Sequence, residues 1–117
     1  MFTKESGLLQ GTLELLVLKT LSWGPMHGYG IASWIESATE DVLHVEEGSL
    51  YPALYRMTKK GWLRAEWGTS ENNRKAKYYR LTAEGERQFR EQTTGWQRFA
   101  AAVNRAVAVT QAPSWAR

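Results

Sequence analysis

Two short clusters of cations are the residues with the clearest potential for chemistry. The first cluster, with helical spacing, is Arg56, Lys59 and Lys60. The second lies in a polar segment, where Arg74, Lys75 and Lys77 occur within four consecutive residues. The planar fork of Arg56 can donate two parallel hydrogen bonds to a phosphate or to guanine O6 and N7. Cations on a hairpin loop suit contacts with phosphates or with a minor groove. Both clusters are also compatible with an ordinary solvated surface.

The distribution of charge along the chain is uneven. The formal net charge is only +3, but residues 1–55 carry −5, residues 56–90 carry +6 and residues 91–117 carry +2. A basic middle segment between an acidic and a mildly basic one indicates a localised surface for a polyanion. Solvated charge without a partner is the alternative.

Signals for enzymatic chemistry are missing from the sequence. Cysteine is absent, His27 and His44 have no acidic pair at metal-ligand spacing, and Ser49 has no neighbouring base. The glycines of residues 24–30 do not follow a strand as a phosphate-binding loop requires. The sequence therefore predicts no catalytic residues, no metal and no cofactor. We expect His27 to begin a helix and His44 to pair in a strand.

Membrane insertion is not expected. No apolar run approaches the roughly 20 residues that span a bilayer, and residues 1–5 lack the order of a secretory signal. The interpretation is a soluble cytoplasmic protein.

Hydrophobic periodicity and turn residues predict a mainly α fold with a small β-wing, a winged helix-turn-helix followed by a long C-terminal helix. The predicted elements are a buried helix from about 11 to 23, a helix over 27–39, a short strand over 42–45, a helix from 47 or 48 to 61, hairpin strands over 63–67 and 77–81, and a last helix from Thr82 to about Val109. The corresponding division is 1–81 for the DNA-binding domain, 82–110 for the dimerisation helix and 111–117 for a tail.

The third helix is predicted to have an inward and an outward face. Its inward residues follow an i, i+4, i+7 pattern: Leu50, Leu54 and Met57. The outward residues are predicted to be Ser49, Pro52, Ala53, Arg56, Lys59 and Lys60, with Tyr51 and Tyr55 at the flanks. Small residues early in the helix allow it to approach a major-groove floor. Each tyrosine could place a hydroxyl on a phosphate, or could instead belong to the core.

The last helix carries residues spaced alternately by three and four, which is a heptad seam. They are Phe89, Gln92, Trp96, Phe99, Val103 and Ala106. A small domain cannot bury so long a stripe, so we expect a homodimer; folding back on the same chain is the alternative. Two copies of Trp96, with Phe99, could sandwich a planar aromatic effector at the symmetry axis. Ordinary interface packing explains Trp96 equally well.

An ordered set of motifs resembles the PadR family of bacterial transcriptional regulators, in its short branch with a single C-terminal helix. The motifs lie at 11–13, 16–18, 24–31, 48–54 (Gly-Ser-Leu-Tyr-Pro-Ala-Leu), 60–63 and 77–85 (Lys-Tyr-Tyr-Arg-Leu-Thr-Ala-Glu-Gly). The resemblance covers about residues 8–109, and the tail from Gln111 lies outside it.

The resemblance implies a homodimeric repressor of nearby detoxification, efflux or stress genes. It implies that the helix matching 48–60 enters the major groove, that the hairpin matching 63–81 is the wing, and that the last helix pairs with the first helix of the partner subunit. Some members bind planar aromatic molecules between subunits, where Trp96 lies here. The predicted contacts with double-stranded DNA are Ser49, Tyr51, Pro52, Tyr55, Arg56, Lys59, Arg74, Lys75 and Lys77. A winged-helix module that binds an acidic protein and an aromatic-ligand carrier are the alternatives.

Overall fold

The computed structural model describes the backbone of residues 7–116 and the side chains of residues 12–116. Residues 1–6 and Arg117, which belong to the predicted domain and tail, lie outside the described residues. The helices are α1 (Gly7–Leu21), α2 (Gly28–Ala38), α3 (Glu47–Lys59) and α4 (Ala83–Ala108), and the strands are β1 (Met26–His27), β2 (Leu63–Thr69) and β3 (Lys75–Leu81). These elements form a winged helix-turn-helix with a long last helix, which confirms the predicted fold class.

The core lies where α1, α2 and α3 meet the base of the β2–β3 hairpin. The side chains of Leu18, Ile31, Ile35 and Leu54 are completely buried there. The continuously apolar sequence of α1 is explained by this position, since Leu13, Val17, Leu18 and Leu21 are all buried. A helix enclosed on most sides has no need of a polar face.

The sheet has three antiparallel strands in the order β1-β3-β2. Its first strand comes from Met26–His27, which pairs with Tyr78 and Tyr79 of β3. The strand predicted over 42–45 is therefore wrong, because this segment is a loop in which only Leu43 makes an isolated bridge. The amide of Val45 instead donates to Oε2 of Glu36 at 2.9 Å. The predicted strand pairing of His44 fails for the same reason; its Nδ1 lies 3.9 Å from that carboxylate.

The hairpin is longer than its sequence pattern predicts. Each strand has seven residues, with Leu63 paired to Leu81 and Thr69 paired to Lys75. The turn is restricted to residues 70–74, where Ser70 and Arg74 are joined by a backbone hydrogen bond of 2.8 Å and Asn73 has a φ of 59°. Asparagine tolerates this left-handed backbone better than most residues do. The two strands thus continue beyond the core through polar residues, and this extension is the wing.

The start of α4 is fixed against the base of the wing. Thr82 is the N-cap, and its Oγ1 accepts a hydrogen bond from the amide of Gly85 at 3.0 Å. A Cβ at Gly85 would lie 2.1 Å from the carbonyl oxygen of Trp62, so only glycine permits this approach. From this anchor the 26 residues of α4 extend about 39 Å at 1.5 Å per residue. The molecule is accordingly elongated, with a longest dimension of 63 Å.

Candidate DNA interface

Helix α3 presents one buried and one exposed face. Leu50, Leu54 and Met57 are buried as predicted, and Ala53 is buried with them. The expectation that Ala53 lies outward is wrong, because residues 50, 53, 54 and 57 share the helix face that packs on the core. Among the predicted DNA contacts of this helix, Ser49 is partly exposed and five are exposed: Tyr51, Pro52, Tyr55, Arg56 and Lys59.

The first turn of α3 lies against the start of α2. A Cβ on Gly28 would be 2.6 Å from the hydroxyl oxygen of Tyr51, so the tyrosine ring lies directly on the backbone of α2 and a larger residue at position 28 would displace it. Tyr51 is therefore packed along one side of its ring while 44% of it remains exposed. The packing of α2 against α3 thus orients the Tyr51 hydroxyl, which can donate a hydrogen bond to an acceptor outside the protein.

His27 is the N-cap of α2, as its predicted position at a helix start required. Its Nδ1 accepts from the amide of Gly30 at 3.0 Å, and its ring contacts Tyr78 of β3 edge-on at 5.2 Å between centroids. Its Nε2 lies 3.8 Å from Oε1 of Glu71 in the wing turn. One side chain thus connects the start of α2 to the wing.

The wing cations are exposed, but only one is in the turn. Lys75 and Lys77 are strand residues of β3 and, being two apart, point to the same side of the sheet. Arg74 closes the turn. The ammonium of Lys75 lies 5.6 Å from the ring centre of Trp67 on β2, within cation–π range. Two of the three cations are therefore held on a strand rather than on a flexible tip.

A cleft of about 710 Å³ separates the wing from the starts of α2 and α3. Four predicted DNA contacts line it together: Tyr51, Arg74, Lys75 and Lys77. Burial raises the pKa of the Tyr79 hydroxyl at the base of this cleft, and the nearby Tyr51 raises it further. The other predicted contacts of α3, which lie both at its start and on its later turns, are not part of the lining.

Two aromatic residues of this cleft were missed by sequence reasoning. Tyr29 is 78% exposed at the start of α2, and Trp67 is 65% exposed on β2. The alternation of Leu63, Ala65 and Trp67 predicts one shared face, which is correct, but β2 runs past the edge of the core. Lys77 lies directly across from Trp67 in the hairpin, so the two side chains share one face of the sheet. The presence of a lysine on that face was the signal that Trp67 is exposed.

The last turns of α3 carry a different electrostatic environment. Nε of Arg56 lies 3.5 Å from Oε2 of Glu14 on α1, and Nζ of Lys60 lies 3.7 Å from Oε1 of the same carboxylate. Lys59 instead lies over the ring of Tyr55 at 5.5 Å. Lys60 also lies over the ring of Trp62, at 4.5 Å, so Arg56 and Lys60 share an acid while Lys59 and Lys60 each contact an aromatic ring.

The heptad seam of α4 is largely uncovered. Phe89 and Gln92 are partly buried, while the four later seam residues are exposed: Trp96, Phe99, Val103 and Ala106. The rings of Trp96 and Phe99 are 5.9 Å apart. Beside them an apolar groove of about 530 Å³ runs between α1, α4 and the loop after α2, and is lined by Leu15, Leu16, Val42, Leu43, Phe89 and Trp96 among others.

No cluster of three or more histidine, cysteine or acidic side chains suited to a metal occurs within residues 12–116. In the part of the chain that the structure describes, no helix is both long and apolar enough to cross a membrane.

A winged helix-turn-helix with a cationic cleft between wing and second helix defines a class of DNA-binding proteins. Comparison with known proteins specifies the family. The model of the transcriptional regulator PadR-like family matches residues 17–91, well over half of the chain. The chain belongs to this family, whose members are transcriptional regulators and not enzymes, and it is a DNA-binding transcription regulator.

Solved structures agree with this assignment, and one curated protein is similar over most of the chain. A PadR-like transcriptional regulator from Bacillus cereus has 30% identity and a TM-score of 0.78, over 90% of this chain and 100% of its own. A transcriptional regulator from Clostridium thermocellum has 27% identity and a TM-score of 0.77, over 86% and 97%. An uncharacterised protein of Lysinibacillus sphaericus is 29% identical over 91 residues, which cover 78% of this chain and 84% of the relative.

Proposed function

We propose that the protein is a homodimeric repressor that acts in the cytoplasm and binds a palindromic operator. The observation that carries the proposal is the shared cleft, in which Tyr51 of α3 and the cations Arg74, Lys75 and Lys77 of the wing face the same space. A duplex whose major groove receives α3 would pass its phosphate backbone along this cleft.

Each predicted contact has a proposed role on the operator. Arg56 reads bases, because a guanidinium can form a bidentate pair with guanine. Ser49 and Pro52 are small enough to let the start of α3 approach the groove. The remaining residues hold phosphates and fix the register of the protein: Tyr51, Tyr55, Lys59, Arg74, Lys75 and Lys77.

The proposed dimer is supported by the uncovered seam of α4. Trp96, Phe99 and Val103 form an apolar stripe that is 40%, 56% and 43% exposed in the single chain. A second copy of the chain would bury this stripe. Residues 82–110 are then the dimerisation helix, 1–81 the DNA-binding domain and 111–117 a tail.

Two-fold symmetry determines the form of the operator. Two copies of α3 must meet half-sites about one helical turn, roughly 34 Å, apart on one face of the duplex. A repeat in the same orientation would not satisfy both subunits, since a two-fold axis relates them.

The proposed control is release from DNA by a planar aromatic effector at the dimer interface. Trp96 and Phe99 offer ring faces for stacking, and the groove beside Trp96 is lined mainly by apolar side chains. An effector releases the operator only if it prefers a dimer geometry in which the two copies of α3 no longer match the half-sites.

The test begins with operator fragments selected from genomic DNA of the host by the purified protein. Substituting both Arg74 and Lys75 with alanine should weaken binding to all sequences and reduce the salt dependence by about one unit per lost phosphate contact. The matched control replaces Arg98 and Arg105 of α4, which removes two exposed cations outside the proposed interface.

Unchanged affinity and salt dependence in the wing variant would refute the wing assignment. Absence of duplex binding by the wild-type protein at low salt would refute the whole proposal, and would favour a winged-helix module for an acidic protein or an aromatic-ligand carrier. Quenching of tryptophan fluorescence by an aromatic compound, with loss of operator binding, tests the effector.

A further inference from the structure

One carboxylate of α1 lies beside the basic end of the recognition helix α3. Glu14 contacts Nε of Arg56 at 3.5 Å and Nζ of Lys60 at 3.7 Å, through different oxygens. Its side chain is only 21% exposed, whereas those of both cations are 47% exposed. The acid is thus sheltered behind cations that remain accessible to DNA.

Glu14 lies on a part of α1 that is anchored in the core. Its sequence neighbour Leu13 is buried, and so is Val17 one turn further along α1. The Arg80–Glu66 pair on the hairpin has a similar separation of 3.6 Å, but its carboxylate is 64% exposed. Solvent and side-chain mobility weaken an exposed pair of that kind. The core fixes Glu14 in a way that the hairpin does not fix Glu66.

A fixed negative charge at this place has unequal effects on different DNA. Binding to non-operator DNA depends on how many phosphates the protein neutralises, with little dependence on geometry. Binding to the operator also depends on correctly placed base contacts. A carboxylate that offsets Arg56 and Lys60 therefore weakens the first kind of binding more than the second.

The same contact influences the direction of the Arg56 guanidinium. Arginine has five N–H donors. The nitrogen that lies 3.5 Å from Glu14 is Nε, so the four donors on the terminal nitrogens remain for another acceptor. Those four are the groups that form a bidentate pair with a base or a phosphate. Glu14 can thus orient Arg56 without occupying its recognition edge.

We propose that Glu14 is a specificity-determining positioning residue, which suppresses binding to non-operator DNA by compensating Arg56 and Lys60 and orients Arg56 for the operator. The inference depends on the proposed function, because it assigns α3 to the operator. It adds a role for a residue of α1 outside the DNA-facing surface.

The experiment compares affinities for an operator fragment and for a random duplex of equal length, over a series of salt concentrations. Glu14→Gln should tighten binding to the random duplex about three- to tenfold at low salt and steepen its salt dependence, by up to about one unit for each freed cation. Operator affinity should change less, so that the specificity ratio falls.

Two controls separate a local effect from a change in total charge. Glu40→Gln changes the net charge equally at an exposed turn position after α2, and should leave the ratio unchanged. In an Arg56→Gln, Lys60→Gln background, adding Glu14→Gln should have no further effect on random DNA.

Thermal unfolding verifies that each variant is folded, and Glu14→Ala provides a second neutral variant if the glutamine variant is unstable. The proposal is overturned if folded, charge-neutral variants fail to tighten binding to random DNA, or if Glu40→Gln has the same effect. A wild-type protein that binds no duplex refutes the proposed function instead, which keeps the two failures distinct.

Discussion

The domain from α1 to β3 and the second half of α4 use similar apolar side chains in opposite ways. In the first region, Leu18, Ile31 and Leu54 are completely enclosed by their own chain. In the second, Phe99 is 56% exposed and Val103 and Val107 are also exposed. The difference shows that a single chain buries the apolar side chains of the domain but not those of the second half of α4. An exposed apolar stripe at heptad spacing is a normal feature of an association surface.

Val103→Asp should have the largest effect, because each proposed dimer would place two carboxylates in one apolar seam. We expect the dimer dissociation constant to rise at least about 100-fold and operator affinity to fall with it. Analytical ultracentrifugation over a concentration series measures the first change. Ala101→Asp places the same charge on the exposed opposite side of α4 and should leave the dimer intact. If the wild-type protein were monomeric at micromolar concentration, the exposed stripe of α4 would not be an association surface.

Leu54→Ala tests the enclosed region. Removing a fully buried leucine should lower the free energy of unfolding by about 2–5 kcal/mol, since the surrounding core cannot close the cavity completely. Chemical denaturation at one fixed protein concentration measures the loss. Tyr55→Ala, the adjacent but exposed position of α3, should affect unfolding much less and DNA affinity more. Equal destabilisation by both variants would argue against the assignment of the two faces.

Thr82→Ala tests the junction between the two regions. Its Oγ1 accepts from the Gly85 amide and donates to the Gly61 carbonyl oxygen at 2.6 Å. Loss of this N-cap should cost about 1 kcal/mol of unfolding free energy. Thr82→Ser retains the hydroxyl and should recover most of the stability. No difference between the serine and alanine variants would mean that the cap contributes nothing at this junction.

Glu84→Gln should have the smallest effect. A hydrogen bond from Arg87, with one from Gln88, lowers the pKa of Glu84 below its ordinary value. Because the folded pKa is the lower one, the stabilisation is present above the ordinary carboxyl pKa and is lost as the pH falls through the folded pKa. The glutamine variant should therefore differ from wild type at neutral pH and converge with it in acid. Thermal unfolding over a pH series measures this, and a difference that grows in acid would contradict the sign.

Local patterns in the sequence were sufficient for the main architecture. The spacing of Leu50, Leu54 and Met57 predicts the buried face of α3, and Thr82 marks the start of α4. Both are short-range features, since helix faces and caps depend on residues within one or two turns. The winged fold and the membership of the PadR family follow from the order of such elements and motifs.

Apart from Ala53, whose side of α3 was misassigned, the errors concern segments whose conformation depends on distant partners. The β-branched residues around 42–45 have strand propensity, but apart from an isolated bridge at Leu43 they pair with no strand of the described residues, and Val45 bonds to Glu36 instead. The two-residue strand Met26–His27 has no distinguishable pattern and forms only because β3 lies beside it. Strand propensity expresses fit to a neighbouring surface, so it fails where that surface is missing.

The sequence by itself determined the helices, the wing, the family and the residue types of both basic clusters. Only the tertiary structure decided which cations are compensated, because the contact of Glu14 with Arg56 joins residues 42 positions apart in the sequence. It also brought Tyr29 and Trp67 to one cleft from separate elements. Local spacing determines which side of an element a residue occupies, whereas packing between elements determines what that side faces.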